Sequence, residues 1–127
     1  MSWDYEFDMP WPPSVNALRA CVRGRMITTK RGRDYFDAAT RHLDSIGLSG
    51  EGISGVVRIG LDLHPPTNRK YDCSNMLKAY EDALVKSGFI MDDSQIEYMW
   101  IRKCEKKDCG KISISVCLSD IDIKGVI

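Results

Sequence analysis

The chain lacks several features that would define its class at once. Its 18 Lys and Arg are balanced by 18 Asp and Glu, so no overall field draws it toward nucleic acid or a membrane. No apolar run is long enough to span a bilayer, and the first residues lack the pattern of a signal peptide. We therefore expect a cytoplasmic protein with no membrane partner.

Motifs of several enzyme classes are also missing. The sequence has neither a GxGxxG fingerprint nor a P-loop lysine, so we expect no nucleotide cofactor. No Ser/His/Asp arrangement stands out, which argues against a serine hydrolase. The five cysteines form no CxxC pair, and free thiols in a reducing compartment are the expected state. Cys104 and Cys109 flank a charged turn, but a zinc site there is disfavoured because no further ligand is evident.

Composition and periodicity predict one α+β domain. A hydrophobic content of 43% supports a single core, which we place within residues 1–119, with a C-terminal tail at 120–127. Alternating apolar residues predict strands, and apolar residues at helical spacing predict helices. The predicted strands span 3–9, 56–64, 95–104 and 111–118, a short strand or hairpin covers 22–29 with Gly24 near its bend, and the helices cover 34–48 and a segment from about 72 to a stop at Gly88. These elements predict a single mixed β-sheet with two packed helices.

The last two predicted strands carry a further expectation. Apolar residues occur on both faces of 95–104, which favours a strand inside the sheet or one covered by a partner. The loop EKKDCG then turns the chain back into 111–118, so we expect these two strands to pair as an antiparallel hairpin.

Residues 72–97 hold the most informative pattern. Asp72 or Ser74 stands where a residue would cap the following helix. Asn75, Lys78 and Asp82 fall at i, i+3 and i+7 on a polar face of that helix. A second acidic pair follows the loop after the helix, at Asp92 and Asp93.

Acids at both ends of one helix predict a cation site. If the loop folds back, Asp93 approaches Asp72, and carboxylate oxygens bind hard cations such as Mg²⁺. Lys78 would stand beside the ion and meet a phosphate or a developing negative charge. This combination is expected of a metal-dependent phosphodiesterase.

Basic residues are concentrated in two segments. Residues 19–33 contain six Lys and Arg and no acid, and the loop before Asp72 adds Arg69 and Lys70. Either a solvated surface or a phosphate-binding surface fits such a run. Asn16 follows a proline-rich turn and either faces a site or stabilises that turn. His64 either neighbours the site or is a hydrogen-bonded structural histidine, and His42 is interpreted as a surface or packing residue.

Three segments together resemble one protein family. They are PWPPSVN at 10–16, VRIGLDLHPP at 57–66 and DCSNMLKAYEDALVKSGFIMDDSQI at 72–96. The last resembles the pattern DxDNxxKxxxDALxxxGxxxDDxQ of the RusA family of Holliday-junction endonucleases, which occur in bacteria and often on phages and prophages. The resemblance covers nearly the whole chain. It implies a RusA-like fold, a homodimer, four-way or branched DNA as substrate, and Mg²⁺ as cofactor, with Mn²⁺ as a possible substitute.

The resemblance also assigns residues by position. Asp72, Lys78 and Asp93 match the catalytic positions, and Asn75, Asp82 and Asp92 match accompanying positions. The DNA-binding set that we predict from charge and from the resemblance is Asn16, Arg19, Arg23, Arg25, Lys30, Arg31, Arg33, Arg69, Lys70 and Asn75.

Ser74 departs from the family pattern, because it stands where a second aspartate is usual. A neutral hydroxyl is a weaker Mg²⁺ ligand than a carboxylate. Either Asp92, Asp82 or water completes the ligand set around Asp72, Asp93 and Ser74, which leaves an active enzyme, or the change is an engineered one that traps a complex. Alternatively, the protein binds junction or branched DNA without cutting it.

Overall fold

The centre of the fold is a four-stranded sheet in a computed structural model that describes residues 3–118. The elements, in chain order, are β1 Tyr5–Pro10, α1 Val15–Leu18, β2 Arg19–Val22, β3 Arg25–Thr28, α2 Lys30–Ser45, β4 Val57–His64, α3 Leu77–Lys86, β5 Ile96–Lys103 and β6 Lys111–Cys117. Short 3-10 turns at Cys73–Met76 and Asp93–Gln95 flank α3. The proposed tail at 120–127 lies outside the described residues.

The strand order in the sheet is β1-β6-β4-β5. Strand β6 is antiparallel to both neighbours, whereas β4 and β5 are parallel. The predicted mixed sheet of an α+β fold is therefore confirmed. Parallel strands need a long crossover connection, and α3 with its flanking turns provides it.

The predicted hairpin of 95–104 with 111–118 is wrong. Strand β6 lies between β1 and β4, and β5 lies at the sheet edge beyond β4. The interior places belong to β6 and β4, and Val57, Ile59, Leu61 and Leu63 of β4 are fully buried. The apolar residues on both faces of β5 are explained by aromatic contacts at an edge, such as the packing of Trp100 on Trp3 with ring centroids 5.0 Å apart.

Helices α2 and α3 pack together and bury their apolar faces in one core with the sheet. Helix α2 begins at Lys30, four residues before the predicted start, because the Thr29 hydroxyl caps it by accepting from the Gly32 N–H at 3.0 Å. The regular part of α3 begins only at Leu77. Gly88, with a φ of 78°, ends it as predicted, since a left-handed residue closes a helix at low strain when it is glycine.

Strands β2 and β3 form a separate two-stranded hairpin. Arg23 and Gly24 occupy its bend with φ values of 52° and 76°, the left-handed pair that suits the twist of a two-residue hairpin turn. The predicted hairpin is confirmed. Its strands expose both apolar and basic side chains to solvent. None of the described helices has the length and apolar character that crossing a membrane requires.

Gly60 in β4 makes close packing with β5 possible. A Cβ at this position would lie 2.9 Å from Trp100 Cζ2, and the rigid indole has no room to withdraw because Trp3 packs on it. We expect Gly60→Ala to lower the free energy of unfolding by about 1–3 kcal/mol, measured by urea or thermal unfolding. Gly55→Ala is the matched control, because a Cβ there meets no atom within 4 Å; equal effects of the two changes would contradict the packing argument.

Candidate active site

Helix α3 holds Lys78 against two carboxylates. Its Nζ lies 3.0 Å from Asp82 Oδ1, one turn further along the helix, and 3.5 Å from Asp93 Oδ2 in the following 3-10 turn. The hydrogen bond with Asp82 and the charges of both acids raise the pKa of Lys78. The side chain therefore stays cationic at neutral pH, so it can neutralise charge but cannot serve as a general base.

Asp72 lies exposed at the other end of the motif. The Asn75 amide nitrogen is 3.5 Å from Asp72 Oδ2, and the Asn75 backbone N–H donates to the Asp72 carbonyl oxygen at 3.1 Å. Asp72 makes no side-chain capping bond, and the cap position of α3 is Met76. The prediction that Asp72 or Ser74 caps the helix is therefore wrong.

Asp72 and Asp93, the two acids predicted to bind the metal, do not belong to a compact cluster of ligands in the described structure. Across residues 3–118, no three metal-ligating side chains that include Asp72 or Asp93 have ligand atoms within 4.8 Å of one another. The structure thus brings Lys78 to Asp93 and Asn75 to Asp72, and it does not assemble a compact carboxylate cage. Joint binding of one ion by Asp72 and Asp93 stays a prediction.

Gln95 holds the turn that carries Asp92 and Asp93. Its Oε1 accepts from the backbone N–H groups of Met91 and Asp92, each at 2.7 Å, and its Nε2 donates to the carbonyls of Ile53 and Gly55, each at 2.7 Å. The glutamine thereby ties the acidic turn to the loop before β4. Sequence reasoning quoted this residue only as part of the motif and missed its positioning role.

Comparison with known proteins shows which family the chain belongs to. A family described as endodeoxyribonuclease RusA matches residues 10–117. The chain belongs to the RusA family. Its relatives include proteins named crossover junction endodeoxyribonuclease RusA from Shigella sonnei, 33% identical, and from Escherichia coli K12 and Enterobacteria phage 82, both 32% identical. Each alignment covers 112 residues, 88% of this chain and 92% of the relative.

In this RusA-family chain, the two acids expected to compensate for Ser74 are engaged elsewhere. Asp82 pairs with Lys78 and also with Arg19, whose Nη2 lies 3.1 Å from Asp82 Oδ2. Asp92 is exposed and caps the 3-10 turn, accepting from the Ser94 hydroxyl at 2.6 Å. That hydrogen bond is the main cause of a lowered Asp92 pKa. Both carboxylates therefore have structural partners of their own.

Glu81 is the acid that sequence reasoning missed. It lies three residues after Lys78 on α3, is half-buried, and makes neither a hydrogen bond nor an ion pair with any residue in the range 3–118. Burial raises its pKa and the negative charge of Asp93 raises it further, whereas the positive charge of Lys78 lowers it without cancelling the rise. The i, i+3 spacing from Lys78 was the available signal, but spacing alone cannot distinguish an acid facing the site from a solvated one.

The predicted DNA-binding residues divide into two groups. Three of the basic members make contacts within the protein: Arg19 with Asp82, Lys30 with Asp34 at 2.8 Å, and Arg33 with the Thr28 carbonyl at 2.7 Å. Asn16 is exposed in α1, and Asn75 contacts Asp72. The remaining members are exposed and form no ion pair with another described residue: Arg23, Arg25, Arg31, Arg69 and Lys70.

A groove connects the hairpin with the acidic turn of this RusA-family site. Its volume is ≈ 260 Å³, and its walls include Arg19 and Thr28 from the hairpin and Asp82, Asp92 and Asp93 from the site. Cations and carboxylates therefore face a common space. A backbone phosphate lying along the hairpin would pass close to the carboxylates.

The electrostatics of Glu81 predict an unusual stability effect. Because the folded-state pKa of this acid is raised, its ionised form destabilises the fold above that pKa, and the penalty disappears as the pH falls below the unfolded-state pKa. We expect Glu81→Gln to raise the melting temperature slightly at pH 7 in EDTA and to lose this advantage in acid. Glu97→Gln, which breaks an ion pair with Arg58, should not stabilise; a destabilised Glu81→Gln protein would contradict the assignment.

Proposed function

We propose that the chain is a metal-dependent endodeoxyribonuclease that resolves four-way DNA junctions. The observation that carries the proposal is the contact of the Lys78 ammonium with Asp93. Both residues belong to a chain that matches the RusA family over residues 10–117. Relatives that bear the name crossover junction endodeoxyribonuclease align with 88% of the chain. The junction is therefore the substrate that the site and the comparisons support best.

The donor set of the site fits a hard divalent cation. Asp72 and Asp93 supply carboxylate oxygens, the ligands that Mg²⁺ and Mn²⁺ prefer. Half-buried Glu81, which forms no ion pair with another residue in the range 3–118, adds negative charge next to Asp93. A bound Mg²⁺ would orient and activate water for attack on phosphorus and stabilise the leaving oxygen.

We assign to Glu81 the charge that Ser74 lacks. Asp82 is held by Lys78 and Arg19, and Asp92 is committed to its turn. Glu81 is the neighbouring acid whose carboxylate has no such commitment, and its burial makes an uncompensated charge unfavourable. A cation at the site would relieve this penalty, which supports an active enzyme rather than one disabled by the serine.

Lys78 compensates charge on the substrate. The two carboxylates keep its ammonium group charged and fixed in position beside Asp93. Negative charge develops on the phosphoryl oxygens during hydrolysis, and a preoriented cation stabilises it without further reorganisation. The pair formed with Asp82 thus fixes the direction of the side chain.

Basic side chains would bind the DNA, and a symmetric dimer would match the symmetry of the junction. Exposed basic residues of the hairpin, together with Arg69 and Lys70, would contact backbone phosphates and read the shape of the junction more than its sequence. We propose a homodimer because a four-way junction has approximate two-fold symmetry. A C2 dimer would place two identical sites to make paired nicks.

A second candidate function is DNA binding by the same fold without nuclease activity. The observation that favours it is Ser74, exposed in the 3-10 turn after Asp72, which removes one usual ligand. The protein would then bind junction or branched DNA without nicking it. A cleavage assay on a synthetic junction with Mg²⁺ or Mn²⁺ distinguishes the two functions.

The catalytic acids give a direct test. Asp72→Asn and Asp93→Asn remove charge with little change in volume, so we expect nicking of a four-way junction to fall by roughly two to three orders of magnitude. Binding in EDTA, measured by gel shift, should change little. Asp108→Asn is the control, since this acid is exposed in the loop before β6; wild-type cleavage by either catalytic variant would disprove the assignment.

Ser74 and Glu81 should be coupled if they share one role. We expect Glu81→Gln to weaken Mn²⁺ binding by about 10–100-fold, measured by calorimetry, and Ser74→Asp to restore binding in the double variant. Additive, independent effects of the two changes would show that Glu81 does not replace the missing carboxylate. The stability gain of Glu81→Gln in EDTA serves as a check that this variant is folded.

A further inference from the structure

An imidazole, a thiol and a carboxylate meet at the ends of β4 and β5, outside the site described above. One ligand atom from each of His64, Cys104 and Glu105 lies within 4.8 Å of the other two. His64 Nδ1 is 3.9 Å from Glu105 Oε1. Within the described range 3–118, no other group of three His, Cys, Asp or Glu side chains has its ligand atoms within 4.8 Å of one another.

The sheet register explains why residues 40 positions apart become neighbours. Leu63 lies opposite Lys103 in the parallel pair β4–β5, so the chain next delivers His64 and Cys104 at the same edge. The Cys104 N–H donates to the Leu63 carbonyl at 2.8 Å and extends the ladder by one bond. The sequence showed Cys104 without a partner, because its partner belongs to another strand.

The loop after Cys104 is also held by backbone contacts. The Lys107 N–H donates to the Pro65 carbonyl at 3.0 Å. Gly110 closes the loop with a φ of 68°, and a Cβ there would lie 2.8 Å from Pro66 Cδ. The His64 ring contacts the Glu105 carbonyl oxygen through Nδ1 at 2.9 Å, which confirms the expectation of a hydrogen-bonded histidine. The paired strand ends and the hydrogen-bonded loop therefore fix the positions of His64, Cys104 and Glu105.

The donor types match zinc rather than magnesium. Thiolate, imidazole and carboxylate together are a zinc ligand set, whereas Mg²⁺ takes oxygen ligands. Three protein ligands leave a fourth tetrahedral position for water. The His64 side chain is 12% exposed and Glu105 is 71% exposed, so an ion would enter from the side of the glutamate.

Three local interactions oppose an ion and must yield to it. His64 Nδ1 lies 2.9 Å from the Glu105 carbonyl oxygen, so this nitrogen binds a metal only after that hydrogen bond breaks. Lys107 Nζ lies 3.5 Å from Glu105 Oε1, and this exposed pair is weak enough for the lysine to withdraw. Burial raises the pKa of the Cys104 thiol, so the metal-free side chain carries a proton. Metal binding would release that proton to solvent as the thiolate forms.

We propose that His64, Cys104 and Glu105 form a Zn²⁺ site that ties the ends of β4 and β5 together. The site would stand next to the segment that leads to the active site. Lys103, adjacent to Cys104, donates from Nζ to the Tyr71 carbonyl at 2.6 Å and lies 4.4 Å from the centre of the Tyr71 ring. A bound ion would thus stabilise the strand end against which the residue before Asp72 packs.

Cobalt provides the test, because it substitutes for zinc and reports thiolate ligation by absorption. The full-length, metal-free protein is titrated with Co²⁺ in excess Mg²⁺. We expect a thiolate-to-cobalt charge-transfer band and tetrahedral d–d bands that disappear on addition of Zn²⁺. Cys104→Ser should abolish the charge-transfer band, and His64→Ala should abolish the tetrahedral spectrum. Glu105→Gln should weaken Co²⁺ binding.

Matched variants distinguish this site from other thiols and from the active site. Cys109→Ser, in the same loop but outside the group, should keep the full spectrum, as should Asp93→Asn. Zn²⁺ should raise the melting temperature of the wild type and of Cys109→Ser but not of Cys104→Ser. Absence of a thiolate band in the folded wild type, or a band that survives Cys104→Ser, would overturn the proposal.

Discussion

The parallel pairing of β4 and β5 is the constraint on which the rest of the structure depends. Two parallel neighbours cannot be joined by a tight turn, so the chain between them must cross the sheet. That connection is α3, and it carries Asp72 before the helix, Lys78 within it and Asp93 after it. The same pairing brings His64 and Cys104 to one edge. The candidate active site and the proposed zinc site thus follow from one strand arrangement.

Charge around α3 is arranged unevenly. Lys78 and Arg19 compensate Asp82, and backbone and hydroxyl donors satisfy Asp92, whereas Glu81 forms no ion pair or hydrogen bond of its own among residues 3–118. A structure optimised for stability alone would not keep a half-buried acid beside Asp93. Functional sites commonly retain such locally unfavourable features, and here the unfavourable charge lies where we propose that a cation binds.

Local elements were largely predictable, and their assembly was not. Alternation located the strands, and the Gly24 bend and the Gly88 stop were found because positive φ values leave a residue-type signature. The predicted start of α2 was too late, because the Thr29 cap begins the helix before the apolar periodicity becomes visible. The hairpin of β5 with β6 was wrong because adjacency in sequence does not determine pairing when β4 offers a more apolar neighbour to both.

The amino-acid sequence by itself determined the family, the candidate catalytic motif and the types of most elements, because these depend on residue spacing along a local backbone. Only the tertiary structure decided which acids are already paired, that Glu81 forms no ion pair within the described part of the chain, and that His64 meets Cys104. Those facts depend on contacts between residues far apart in the chain. Burial and register create such contacts, and neither quantity is encoded in any one segment.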